Sequence, residues 1–296
     1  MSLRLDTPLE QVASAARAPA THLIGAGGLK LAADVWGDAE SPPVLLLHGG
    51  GQTRHAWGGT GEALAASGGR AIALDMRGHG DSDWAADGDY AIDAYVADLI
   101  AVVDGLDRPP AVVGASLGGL TTLLAAGEAG CRLAAVVLVD CAPRLEEDSV
   151  ARIIEFMRGG LDGFASLDEA ADAIASYLPH RKRPDDLSGL AKNLRRRPDG
   201  RFRWHWDPRF VDGTRRPTAS QQPDRLLRAA EQLRVPTMLV RGRMSDVVSE
   251  AGAAEFLEHA PQAEFVDVSG AGHMVAGDRN DAFTDAVAAF LNRHRR

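Results

Sequence analysis

Cysteine, long apolar runs and positive charge are all scarce in this chain, and each scarcity excludes something. Among 296 residues there are two cysteines, Cys131 and Cys141. Two cannot build a disulfide framework, and no Cys-x-x-Cys or Cys/His cluster offers ligands to a metal. No metal and no cofactor are therefore expected, and the thiols read as buried and reduced in a cytoplasmic protein. No apolar run approaches the ~20 residues that span a bilayer, so no membrane association is expected. Residues 1–20 carry Arg4, Asp6, Glu10 and Arg17 among small residues. They read as an N-terminal extension without the apolar stretch of a signal peptide. The 32 Lys and Arg against 41 Asp and Glu leave a net charge of −9, which argues against nucleic acid as a partner.

What is present is an alternation of short apolar runs and helical patterns. Two short runs at 22–24 and 29–36, joined by Gly25-Ala26-Gly27-Gly28, predict a β-hairpin. A continuous apolar run follows at 43–47, and further strands are read at 70–75, 111–113, 134–140, 236–241 and 263–268. Runs without polar alternation belong to strands covered on both faces. Helical spacing lies between them, at 57–67, 92–106, from 117 to about 130, at 223–233, 250–259 and 281–294. The pattern predicts an α/β fold with eight strands, mostly parallel, flanked by helices.

The rhythm breaks between 143 and 222. That stretch shows two helical segments, 149–158 and 167–178, the second after the capping candidate Ser166. No buried strand pattern appears there. The expected division is a core of 21–142 and 223–296, with 143–222 inserted after the sixth strand as a helical cap.

Ligands of an open parallel sheet bind beyond the carboxyl ends of its strands. This chain places His48-Gly49-Gly50-Gly51, Asp75, Ser116, Asp140, Asp246 and His273 at those ends. Gly114-Ala115-Ser116-Leu117-Gly118 is a G-x-S-x-G elbow, in which a strand turns sharply into a helix with the serine at the apex. A serine hydroxyl is a poor nucleophile until an imidazole takes its proton, and the imidazole needs a carboxylate to fix its tautomer. The order Ser116, Asp246, His273 supplies all three. Asp140 is the alternative acid.

On these pieces (HGGG at 48–51, DMRGHGDS at 75–82, GASLGG at 114–119, RGRMSDVVS at 241–249 and GAGHM at 270–274) the chain resembles the capped serine-hydrolase branch of the α/β-hydrolase fold. Esterases, non-haem peroxidase-like perhydrolases, enol-lactonases and carbon–carbon bond hydrolases belong to that branch. The resemblance implies Ser116 as nucleophile, Asp246 as acid and His273 as base. It implies an oxyanion hole from the backbone N–H groups of Gly50 and Leu117, with Gly51 competing for the first place. His48 matches the structural histidine of this loop rather than the base. The expected activity is hydrolysis of a small ester or lactone through an acyl-enzyme. A perhydrolase or carbon–carbon hydrolase would use the same residues, and a non-catalytic ligand receptor is the reading from a different class.

The insertion is expected to set the substrate. Between Arg181 and Arg216 there are 12 Lys and Arg against 5 Asp, a local excess of +7. Arg203 and Arg209 are candidates to hold a substrate carboxylate. Trp57, Trp204 and Trp206 are candidate pocket walls, with His55 and Trp84 beside them. A homodimer is the default expectation for assembly.

Overall fold

The structure is a computed structural model that describes residues 20–178, 183, 185–273 and 280–294. The N-terminal extension, apart from Ala20, and Met274 of the GAGHM motif lie outside the described residues. Eight strands form one sheet: β1 (Thr21–Ile24), β2 (Lys30–Trp36), β3 (Pro43–Leu47), β4 (Arg70–Leu74), β5 (Ala111–Ala115), β6 (Ala135–Val139), and, beyond the insertion, Thr237–Gly242 and Glu264–Val268. The spatial order is β1, β2, β4, β3, β5, β6, then those last two strands. Only β2 runs against its neighbours; every other pairing in the sheet is parallel.

The order explains where a site can form. From β3 the chain steps one way to β4 and then returns across β3 to β5. The crossovers therefore diverge at the carboxyl ends of β3 and β5, which opens a crevice between them. The loop starting at His48 leaves one of these ends, and Ser116 stands at the other.

Both faces of the inner strands β3 to β6 and Thr237–Gly242 are buried, whereas the edge strands β1 and Glu264–Val268 are largely open to solvent. Leu45, Leu47, Ile72, Val112, Val136, Leu138 and Leu239 point to one face. There they meet α2 (Ile92–Asp104), α3 (Leu117–Gly127), a helix at Pro223–Glu231 and another at Glu250–His259. Val44, Leu46, Val113, Val137, Val139 and Val240 point to the other. That face is covered by α1 (Gly58–Ala66) and the C-terminal helix Asn280–His294, through Trp57, Leu64, Phe283, Val287 and Phe290. Alternation along each strand thus divides its side chains between two cores.

Among its described residues, the segment between β6 and the helix at Pro223 adds no strand to this sheet. It carries α4 (Glu147–Gly159), α5 (Leu167–Tyr177), a short helix Ser188–Ala191, and α6 (Arg209–Asp212). Ser166 caps α5 as expected, its hydroxyl accepting from Glu169 N–H at 3.1 Å. Unlike the expectation of helices alone, the segment also holds a small antiparallel hairpin, β7 (Leu194–Arg196) with β8 (Phe202–Trp204). Three residues are too few for a two-residue period to stand out from its surroundings.

The second half of the insertion is stitched to the core loop 78–90. Asp207 N–H donates to Gly78 O, Tyr90 N–H to Arg215 O, and the Tyr90 hydroxyl to Asp207. Arg209 donates to the carbonyls of Ala85 and Ala86, Arg195 pairs with Asp81, and Arg215 pairs with Asp87 and Asp89. The first half meets the core through Glu146 N–H donating to Val247 O and the exposed Arg152–Asp246 pair. It meets the second half through backbone hydrogen bonds between Phe164 and Phe202 and the exposed Arg158–Asp212 pair.

Candidate active site

Ser116 sits at the tip of the β5–α3 turn with φ 46° and ψ −111°. This backbone is costly for a residue with a Cβ, and sites that retain such strain tend to be functional. The glycines around it are there for space. A Cβ on Gly114 would stand 2.4 Å from Gly118 O, and one on Gly118 would stand 2.5 Å from Leu47 O. Only bare backbone lets α3 approach β3 and β5 this closely. Leu117 opens α3, so its N–H belongs to the first turn, where no intrahelical acceptor exists. The positive end of the helix faces the same place.

Among the described residues, only one other non-glycine has a positive φ: Asp140, at 44°. It follows β6, the neighbour of β5, and is fully buried. Its Oδ2 accepts from His273 Nδ1 at 2.6 Å and from the Ser245 hydroxyl at 2.5 Å, and its Oδ1 accepts from Gly242 N–H at 3.0 Å. The carboxylate at the histidine is thus Asp140, and the expectation for Asp246 is corrected. Asp246 projects outward with its side chain 63% exposed and pairs with Arg152 at 2.7 Å. Its neighbour Ser245 turns inward instead, accepting from Val247 and Val248 N–H at 3.2 Å each, which aims its own hydroxyl at Asp140. Ser245 was not singled out from sequence; the sole signal was its place inside the RGRMSDVVS motif.

The loop after β3 lies against the serine. A Cβ on Gly49 would be 3.3 Å from Ser116 Cβ. Gly49 N–H donates to Gln52 Oε1, and Gly51 N–H donates to His79 Nε2 at 3.1 Å. Gly50 N–H carries no hydrogen bond among the described residues. Gly51 therefore drops out as an oxyanion donor, and Gly50 keeps a free N–H beside the serine.

Three buried histidines surround this loop, each held by main-chain groups. His48 accepts Met76 N–H at Nε2 and donates from Nδ1 to Gly49 O; it is the structural histidine expected. His79 donates from Nδ1 to Arg77 O. His205 accepts Gly80 N–H at Nδ1 (2.7 Å) and donates from Nε2 to Gly51 O at 3.3 Å. Burial is the main cause that pushes their pKa values down, to about 4 for His48, about 3 for His79 and well below the ordinary value for His205. All three are neutral at pH 7, each fixed in one tautomer.

The residues expected to contact substrate divide. Trp206 reaches the loop: a Cβ on Gly51 would stand 3.4 Å from its Cζ3 and 3.1 Å from Met157 Cε, and one on Gly50 would stand 3.2 Å from Phe210 Cζ. Trp204 lies one layer behind, stacked on Trp206 at 5.0 Å. Trp57 is not at the site. It is buried in the opposite core, 6.1 Å from the Phe283 ring. His55 faces Asp34, and the half-exposed Trp84 lies under the Arg197 guanidinium. Both arginine expectations are also corrected. Arg203 pairs with Asp199 at 2.7 Å, and Arg209 grips Asp207 besides its two carbonyls. A guanidinium already satisfied by a carboxylate has little left for a substrate anion. Arg183, Arg195 and Arg215 of the same stretch are likewise paired with carboxylates.

Among the described residues no group of three or more His, Cys, Asp or Glu is placed to hold a metal ion, and no helix is long and apolar enough to cross a membrane. Cys141 is buried, Cys131 half-buried, and both are free thiols.

Comparison with known proteins agrees with this geometry. Esterase Rv0045c of Mycobacterium tuberculosis is 32% identical over 266 residues, covering 87% of this chain and 85% of that protein. A crystal structure of that esterase superposes with a TM-score of 0.72 at 29% identity, covering 99% of this chain and all of the other. The 3-hydroxybutyrate-oligomer hydrolase of Cupriavidus necator is 27% identical over 84% of this chain and 88% of that protein. The fold alone is shared with E-2-(acetamidomethylene)succinate hydrolase, at a TM-score of 0.80 and 24% identity over 91% of this chain and 98% of the other. Residues 42–279 match the alpha/beta hydrolase fold family, and with the sheet order, the serine elbow and these relatives, the chain belongs to it.

Proposed function

We propose that this protein is a serine hydrolase that cleaves a carboxylic ester or lactone through an acyl-enzyme on Ser116. The observation that carries the reading is the His273–Asp140 hydrogen bond, at the strand end next to a serine in an elbow of positive φ. The esterase name of the 32% identical relative supports ester bonds as the target.

The chemistry follows from the residues. Asp140 accepts from His273 Nδ1, which leaves Nε2 as the basic nitrogen. Nε2 takes the Ser116 proton as Oγ attacks the carbonyl carbon. The carbonyl oxygen gains negative charge and is met by the N–H groups of Gly50 and Leu117. Buried Asp140 stabilises the imidazolium, which then protonates the departing alkoxide. Water repeats the sequence in reverse roles and frees the acid.

The insertion acts as a cap over this centre. Met157, Trp206 and Phe210 line the oxyanion loop with apolar surface, and the arginines nearby are neutralised by internal carboxylates. This favours an uncharged acyl group over a dicarboxylate. A fluorophosphonate should label Ser116, and p-nitrophenyl esters should turn over with a burst. Absence of both label and turnover would refute the reading.

A further inference from the structure

We propose that His205, carried by the insertion, positions the oxyanion donor Gly50, so that the cap completes the oxyanion hole of the sheet; this rests on the serine-hydrolase reading above. Gly51 is the joint of the loop, with φ 75° and no Cβ, so its two dihedrals are free unless something holds them. Both its polar groups are held, from opposite sides. His79 of the core takes its N–H, and His205 of the insertion donates to its carbonyl. Gly51 O shares its peptide with Gln52 N–H, which donates to Gly49 O at 3.1 Å, and Gly49 O shares its peptide with Gly50 N–H. The grip of His205 on Gly51 O thus passes through that turn bond to the Gly50 amide, the one left free beside Ser116.

His205 is suited to this in a way that packing alone does not require. It is fully buried, yet both ring nitrogens are spent on the main chain of two core loops, Gly80 and Gly51. The bond from Gly80 N–H to Nδ1 places the ring proton on Nε2, so the group aimed at Gly51 O is a donor. Its own backbone N–H donates to Asn193 O, and the side chain of Asn193 accepts from the Thr53 hydroxyl. The insertion therefore grips the loop at 51, inside the turn closed by Gln52 N–H to Gly49 O, and again at 53, just after it.

The test compares His205→Asn, His205→Gln and wild type on p-nitrophenyl butyrate, with melting temperatures recorded and assays run below the lowest. Asn puts an acceptor where Nδ1 was and cannot reach Gly51. Gln puts an N–H donor near the position of Nε2. The Asn variant is expected to lose about tenfold or more in kcat with KM within about threefold, and Gln to restore most of that loss. If Asn does not fold, His205→Met, equal to Gln in length but without the donor, takes its place with the same expectation. An unchanged kcat in Asn or Met, a loss confined to KM, or equal losses in the donor and non-donor variants would overturn the proposal. A wild type that neither hydrolyses the ester nor takes a fluorophosphonate on Ser116 would fail the hydrolase reading instead.

Discussion

His273 Nδ1 lies 2.6 Å from Asp140 Oδ2, across 133 residues of chain, and Asp140 bends its own backbone to φ 44° to reach that position. Asp246, after the next strand of the sheet, is turned to solvent and held by Arg152. Asp140→Asn is therefore expected to lower kcat on the order of 10⁴-fold, as removal of the orienting carboxylate does in serine triads. Asp246→Asn should stay within a few-fold of wild type, because an exposed ion pair is worth about 0–1 kcal/mol. Steady-state kinetics on the two variants decides between the carboxylates.

Ser245 donates to the same oxygen that holds His273, and its direction is set by two backbone N–H groups. Ser245→Ala removes a charge-assisted bond worth about 1.5–3 kcal/mol. With Gly242 N–H still holding Oδ1, Asp140 stays in place but less firmly. A loss of about tenfold in kcat/KM is expected, with fluorophosphonate still labelling Ser116. Full activity would show that Gly242 alone suffices.

Acid should unfold this protein early. His48, His79 and His205 are neutral when buried, with pKa values of about 4, about 3 and well below the usual range. In the unfolded chain they titrate near 6.5, so between the two values the unfolded state binds more protons than the native one. Stability is fully present above pH 6.5 and falls as the pH drops toward the folded values, by roughly 2 kcal/mol at pH 5 for each of His48 and His79, with His205 acting in the same direction. Urea unfolding at pH 7 and pH 5 measures the difference, and midpoints that coincide would contradict it.

Neither Arg203 nor Arg209 is available to a substrate anion. Arg203→Gln and Arg209→Gln should change turnover of acidic and neutral esters by the same factor, leaving their ratio unchanged. Arg209→Gln should also destabilise the fold, because it leaves buried Asp207 with the Tyr90 hydroxyl as its remaining side-chain donor. A selective loss on the acidic ester would return the arginine to the binding site.

The core of this fold was legible because its signals are local. Apolar runs such as Val44–Leu47 and Val136–Val139 name buried strands, and Gly114 and Gly118 mark the elbow by the space they leave. The choice between Asp140 and Asp246 was not legible. Both follow strands on the same edge, and what separates them is side-chain direction, set by one strained dihedral and by bonds from Gly242 and Ser245 more than 100 residues away. The arginines misled for a related reason: composition counts charge, whereas Arg209 finds its carboxylate two residues back and Arg215 finds its partners at Asp87 and Asp89. Trp-His-Trp at 204–206 stood out as a cluster, but nothing local reveals that its histidine grips glycine 51.

The stitching between residues 193–215 and the loop 78–90 bears on how new specificities are engineered or evolve in this scaffold. Because Asp207, Arg209 and Arg215 find their partners in Gly78, Tyr90, Ala85, Ala86, Asp87 and Asp89, that half of the insertion is not a transplantable module. A chimera exchanging it alone would strand half a dozen polar contacts on each side of the graft. The segment 147–178 is bound to that half in turn, by backbone hydrogen bonds between Phe164 and Phe202, by Arg201 donating to the Asp162 and Gly163 carbonyls, and by Phe164 packed on Trp204. The insertion therefore diversifies as one piece together with the loop 78–90.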